Sequence, residues 1–107
     1  MKLLFVCSEN RLRSPTAEAV FSSYPDIQAL SAGISPEANR SVSTDLIEWA
    51  DVILVMDAFQ REWLMNGFAL QLENKEVVSL DIPDRFPFMD QELVTLLEER
   101  VGKAVKL

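Results

Sequence analysis

An α/β fold is predicted: a small doubly wound four-stranded parallel sheet with helices on both faces. Three observations predict it. Short apolar runs alternate with helix-like stretches along the whole chain, in the order β-α-β-α-β-α-β-α. The two clearest runs, Leu3-Leu4-Phe5-Val6 and Val52-Ile53-Leu54-Val55-Met56, are apolar at every position, as strands covered on both faces must be. The helical stretches open on capping residues, at Ser14-Pro15, Asp57 and Asp90. Right-handed crossovers between such strands wind the sheet in both directions.

Each element has its own signal. Lys2 to Val6 is the first strand. Ser14-Pro15 reads as a cap followed by proline at the first helical position. Ala17, Val20 and Phe21 then recur at helical spacing, and the helix reaches about Ser23 before Pro25 ends it. Ile27 to Leu30 is the second strand and leads into Ser31-Ala32-Gly33. Residues 34–43, rich in Ser, Pro and Asn, read as a loop. Leu46, Ile47 and Ala50 mark a short amphipathic helix. Asp51 to Met56 is the strongest strand, β-branched and apolar. Asp57 with Gln60 forms a capping-box pattern, heading a helix through Phe59, Trp63 and Leu64 that stops near Gly67. Trp49 and Trp63 read as core or half-buried. Glu76 to Leu80 is the fourth strand, and Asp81 to Pro87 a loop with two prolines. Asp90 caps the last helix, with Leu93, Leu96, Leu97, Val101 and Ala104 on one face and Glu98, Glu99, Arg100 and Lys103 on the wet side.

Composition narrows the chemistry. The 107 residues suit a single domain, 1–107, and about half of them are apolar, enough for a hydrophobic core. No apolar run approaches the ~20 residues of a membrane span. The opening MKLLFVC lacks the long apolar stretch of a signal peptide and reads as a strand, so a cytoplasmic location is expected. The net charge of −7 argues against nucleic acid or an anionic membrane as partner. One cysteine rules out an internal disulfide, and no histidine rules out Ser-His-Asp and Cys-His mechanisms. No metal and no cofactor is expected, so acid–base work falls to carboxylates, lysine, tyrosine or cysteine.

The lone thiol, Cys7, ends the first strand, where doubly wound sheets bind ligands. The loop Ser8-Glu9-Asn10-Arg11-Leu12 leads from it to Arg13 and Ser14, at the start of a helix. Such a loop turns several backbone N–H groups toward one point, and the helix N-terminus adds more, so residues 8–14 are candidates for binding a phosphate. Arg13 can grip two anion oxygens with its planar fork. The same donors favour a thiolate on Cys7, placed to attack phosphorus in line. The leaving oxygen needs a proton, and the Asp81–Pro87 loop offers two carboxyls, Asp81 and Asp84. Arg11 reads mainly as a solvent-facing charge, and Asp57 and Asp90 as helix caps.

The stretch Cys7-Ser8-Glu9-Asn10-Arg11-Leu12-Arg13-Ser14-Pro15 resembles the signature of the low-molecular-weight protein tyrosine phosphatases. Ser31-Ala32-Gly33, Val55-Met56-Asp57 and Pro83-Asp84-Arg85-Phe86 resemble further elements of that family, with Arg85 where proline is usual. The resemblance implies a metal-independent phosphomonoester hydrolase that works through a phosphocysteine, with phosphorylated protein or a small phosphomonoester as partner. It implies Cys7 as nucleophile, Arg13 as phosphate clamp and Asp84 as acid, then base. It further implies that Ser14 donates to the thiolate and that Asn10, with Ser31, holds the loop in shape. The chain is shorter than is usual for the family, and the part lost normally supplies an aromatic wall for the substrate ring. Phe86 and Phe88 are the residues left for that wall. Leu12 stands where many members carry a second cysteine, so Cys7 is exposed to oxidation.

Two other functions use the same loop. A phosphate- or phosphopeptide-binding module would keep the anion cradle without a working acid. Thiol-coupled arsenate reduction would need resolving cysteines that this chain lacks.

Overall fold

Residues 1–106 are described by a computed structural model, in the order β1 (Lys2–Cys7), α1 (Arg13–Phe21), β2 (Gln28–Gly33), α2 (Thr44–Trp49), β3 (Val52–Val55), α3 (Ala58–Gly67), β4 (Glu76–Ser79) and α4 (Gln91–Val105). The strands form one parallel sheet in the order β2-β1-β3-β4. Side chains alternate between the faces of a strand, so each apolar run serves two cores at once. Leu3, Phe5 and Cys7 of β1 join Ala17 and Phe21 of α1 and Leu93, Leu97 and Val101 of α4. Leu4 and Val6 point the other way, to Ile47 of α2 and Leu64 of α3. The predicted doubly wound architecture is therefore present, with two helices on each face.

Winding reverses between β1 and β3. After β1 the chain moves outward to β2, then returns to β3 and continues to β4. The carboxyl ends of β1 and β3 flank a crevice at this switch point. Cys7 ends β1, and Asp57 follows β3 by two residues.

Some local expectations need correction. Ser14 does not cap α1. The helix starts at Arg13 with Leu12 at the cap position and no side-chain cap. Pro15 falls within the first turn, where its missing N–H costs nothing. Ser31-Ala32-Gly33 is not a link after β2 but its inner half, paired with Phe5, Val6 and Cys7. The helix α3 does stop at Gly67, and Phe68 takes the cap position. The buried side chains of α3 are Gln60 and Leu64, while Phe59 faces solvent and Trp63 is half-exposed against Phe68. Asp57 and Gln60 do form the capping box, and Asp90 does cap α4. Among the described residues, no helix is long and apolar enough to cross a membrane.

Candidate active site

Residues 8–12 connect β1 to α1, and their shape follows from where their carbonyls go. The carbonyl of Cys7 accepts from Ile34 N–H, that of Ser8 from Ser35 N–H, and that of Glu9 from Asn39 N–H. The Asn10 carbonyl accepts from the Asn39 side-chain amide at 2.8 Å. The Leu12 carbonyl takes both the N–H and the hydroxyl of Thr16. With these oxygens tied outward, the inner side of the loop is left for its N–H groups, and Asn10 N–H donates there to the Cys7 sulfur. The segment 34–39, expected only to be a loop, is thus a template for its neighbour. The amide of Asn39 was the one sequence signal that could have suggested it.

Gly33 allows this approach. A Cβ there would lie 2.7 Å from the Ser8 carbonyl oxygen and 2.9 Å from Asn10 N. Asn10 turns the loop with φ 56°, in the left-handed region that asparagine tolerates better than most residues. Its side-chain amide donates to Ser14 Oγ at 3.0 Å and to Ser31 Oγ at 2.9 Å, and Ser31 in turn donates to Glu18 Oε1 at 2.6 Å. All three expected partners, Asn10, Ser14 and Ser31, meet here. Glu18 completes the chain and was not foreseen.

Cys7 lies at the floor. Its sulfur accepts from Asn10 N–H at 3.2 Å and is 2.9 Å from Ser14 Oγ, whose hydroxyl can donate to it. Both contacts bring polar groups against the sulfur. Above it opens a cavity of about 490 Å³, lined by Cys7, Ser8, Glu9, Arg11, Leu12, Arg13 and Asp84. Asn10 and Ser14 are buried behind the lining.

Arg13 is itself almost fully buried, with 4% of its side chain exposed. Its Nη1 donates to the Ile82 carbonyl at 2.8 Å and to Asp57 Oδ2 at 3.2 Å. Asp57 therefore does two jobs, since its Oδ1 accepts the Gln60 N–H in the capping box. A capping pattern announced only the first. Arg13 Nε pairs with Asp84 Oδ1 at 3.6 Å, from a carboxylate that is 68% exposed at the cavity mouth.

The two candidate acids separate cleanly. Asp84 lines the cavity, whereas Asp81 turns away, accepting from Ser79 and lining a different hollow with Arg100 and Lys103. The expected aromatic wall is not formed by Phe86. That side chain is only 4% exposed and packs in the core, with the Arg85 guanidinium 4.4 Å above its ring. Burial among Leu80, Ile82 and Leu93 is where a large apolar ring gains most. Phe88 is exposed, but it does not line the cavity either. Glu9 and Arg11 pair at the rim at 3.6 Å, both exposed.

Known proteins share this architecture. The model of a family described as low molecular weight phosphotyrosine protein phosphatase matches residues 2–82. The YwlE arginine phosphatase from Geobacillus stearothermophilus superposes with a TM-score of 0.75 at 21% identity, over 98% of this chain and 92% of that one. The tyrosine phosphatase Wzb from Escherichia coli K30, in complex with phosphate, gives 0.74 at 17% identity, over 98% and 96%. SP-PTP, a low molecular weight protein tyrosine phosphatase from Streptococcus pyogenes, gives 0.79 at 18% identity, over 98% and 91%. No curated protein matches the sequence significantly. At these identities the superpositions speak for the fold, while the family match spans most of the sequence, from β1 through the carbonyl that holds Arg13. The chain belongs to the low molecular weight phosphotyrosine protein phosphatase family.

Proposed function

We propose that this chain hydrolyses phosphomonoesters by way of a phosphocysteine, with protein phosphotyrosine as its substrate class. The observation that carries the reading is the sulfur of Cys7 at the floor of the cavity, held by Asn10 N–H and Ser14 Oγ beside a buried, oriented Arg13.

The phosphoryl group binds in the cradle of loop N–H groups, and Arg13 exchanges its long contact with Asp84 for the anion's oxygens. The Cys7 thiolate attacks phosphorus. The S–P bond forms as the bond to the leaving oxygen breaks, and Asp84 gives that oxygen a proton. A water then attacks phosphorus from the vacated side and yields its proton to Asp84. The S–P bond breaks, inorganic phosphate leaves, and Cys7 returns as thiolate. No step calls on a metal. A lone thiol with no partner cysteine suits the reducing cytoplasm.

The cavity has no aromatic lining, so the leaving group is tested directly. An aryl phosphate, a phosphotyrosine peptide, a phosphoserine peptide and a phosphoarginine peptide are compared under the same conditions. Turnover of the phosphotyrosine peptide with the highest kcat/KM is expected. A preference for phosphoarginine would move the chain toward the activity that the YwlE structure is named for. Cys7→Ser should abolish turnover while still binding phosphate, and activity retained in that variant rejects the covalent route.

A further inference from the structure

Gln60 is the one fully buried polar residue of α3, with 0% exposure. Its Oε1 accepts two backbone N–H groups, from Met56 at 2.8 Å and from Asp57 at 3.0 Å. Two donors on one oxygen settle which end of the amide is which. Nε2 must therefore face the other way, and it lies 3.2 Å from Ser8 Oγ. The amide nitrogen can only donate, so Ser8 Oγ accepts there. The hydroxyl keeps its own proton for another acceptor, and none among the described residues takes it. Ser8 lines the cavity above Cys7.

We propose that Gln60 is a positioning residue that sets the polarity of the Ser8 hydroxyl, so that Ser8 donates a side-chain hydrogen bond to the bound phosphoryl oxygen. The inference rests on the phosphatase reading and adds a donor to its backbone cradle. Gln60 touches no substrate and acts through Ser8. Because its other end holds the N–H of Asp57, the same amide ties the Ser8 side of the cavity to the carboxylate that orients Arg13.

The test reverses the donor. In Gln60→Glu the carboxylate still accepts from Met56 and Asp57 but now also accepts from Ser8, which pulls the hydroxyl proton away from the cavity. Orthovanadate affinity and turnover of an aryl phosphate are measured on the full chain for wild type, Ser8→Ala, Gln60→Glu and the double variant, with melting temperature as the folding control. Ser8→Ala should weaken vanadate binding about tenfold, the scale of one hydrogen bond to a charged acceptor. Gln60→Glu should weaken it similarly, and the double variant no further. The Gln60→Glu loss relative to wild type should shrink as pH falls, because a protonated carboxyl donates to Ser8 again. Unchanged affinity in Ser8→Ala overturns the proposal, whether or not the Gln60 variant folds. Losses that multiply in the double variant also overturn it, since the introduced charge would then act without Ser8. If vanadate binds in a Ser8-dependent way but no phosphomonoester is turned over, the phosphatase reading fails and the hydroxyl assignment stands. If turnover is normal and vanadate binding ignores Ser8, only the hydroxyl assignment fails.

Discussion

At the scale of residues, the site depends on side chains with two partners each. Asn10 bridges Ser14 and Ser31, and Asp57 bridges the α3 cap and Arg13. Gln60 bridges the Met56–Asp57 backbone just after β3 and Ser8. Asp84 is different, because it is exposed and, among the described residues, pairs with Arg13 alone, at 3.6 Å, a contact that solvent screens. That freedom suits a group that must meet a leaving oxygen. Asp84→Asn should lower kcat by about 10²–10⁴ on a substrate with a poor leaving group, and by less on an activated aryl phosphate. Asp81→Asn should leave both rates near wild type, and steady-state kinetics on the two substrates separates the cases. A larger loss in the Asp81 variant would reassign the acid. Cys7 and Arg13 stand out in the sequence as candidates because of their spacing between a strand and a helix, whereas the choice of Asp84 over Asp81 rests on the family resemblance and not on the loop itself. The second role of Asp57 could not be read, because a cap uses one carboxylate oxygen and a sequence pattern says nothing of the other. Phe86 was misjudged for a related reason: a ring beside the acid can face the ligand or the core, and only packing decides.

At the scale of elements, β3 and α4 were the most legible because their apolar periods are pure. α4 repeats Leu93, Leu97 and Val101 along one buried stripe, and β3 is buried throughout. Boundaries beside the loop between β1 and α1 were not legible. The helix α1 starts one residue before its apparent cap because Ser14 is used on sulfur instead. The inner end of β2 looked like a link because Ser-Ala-Gly lacks strand character, yet it pairs along β1 up to Cys7 and brings Gly33 under the loop. Gly33→Ala tests that placement. The new methyl would meet backbone atoms of Ser8 and Asn10 closer than 3.0 Å, so the loop must shift. A shift of about 1 Å can cost roughly 10² in rate, and a comparable drop in kcat/KM is expected with the melting transition still cooperative. Wild-type kinetics in this variant would show that the close approach is dispensable.

At the scale of the whole molecule, the proposed function asks a chain of net charge −7 to bind an anion. The positive field is local, made by Arg13, the loop N–H groups and the start of α1, while the surface at large repels a phosphate dianion. Added salt shortens the reach of that repulsion to about 8 Å at physiological strength but hardly touches contacts inside the cradle. The kcat/KM for a dianionic aryl phosphate should therefore rise modestly from low to physiological sodium chloride. A steep fall would mean that long-range attraction, not repulsion, governs entry. This balance was legible only in part: composition supplies the sum, but the fold decides that Arg13 is buried beneath the cavity and Arg11 is spent on Glu9.

The outward ties of the loop carbonyls have one last consequence. The signature from Cys7 to Ser14 is contiguous, yet four of its oxygens are anchored by residues 34–39, which arrive only after β2 has docked. A synthetic peptide spanning residues 5–18 would hold Cys7 and Arg13 but neither Asp84 nor the segment that ties the loop carbonyls. During synthesis, likewise, the nascent thiol gains its cradle only once some forty residues of chain are free to fold together.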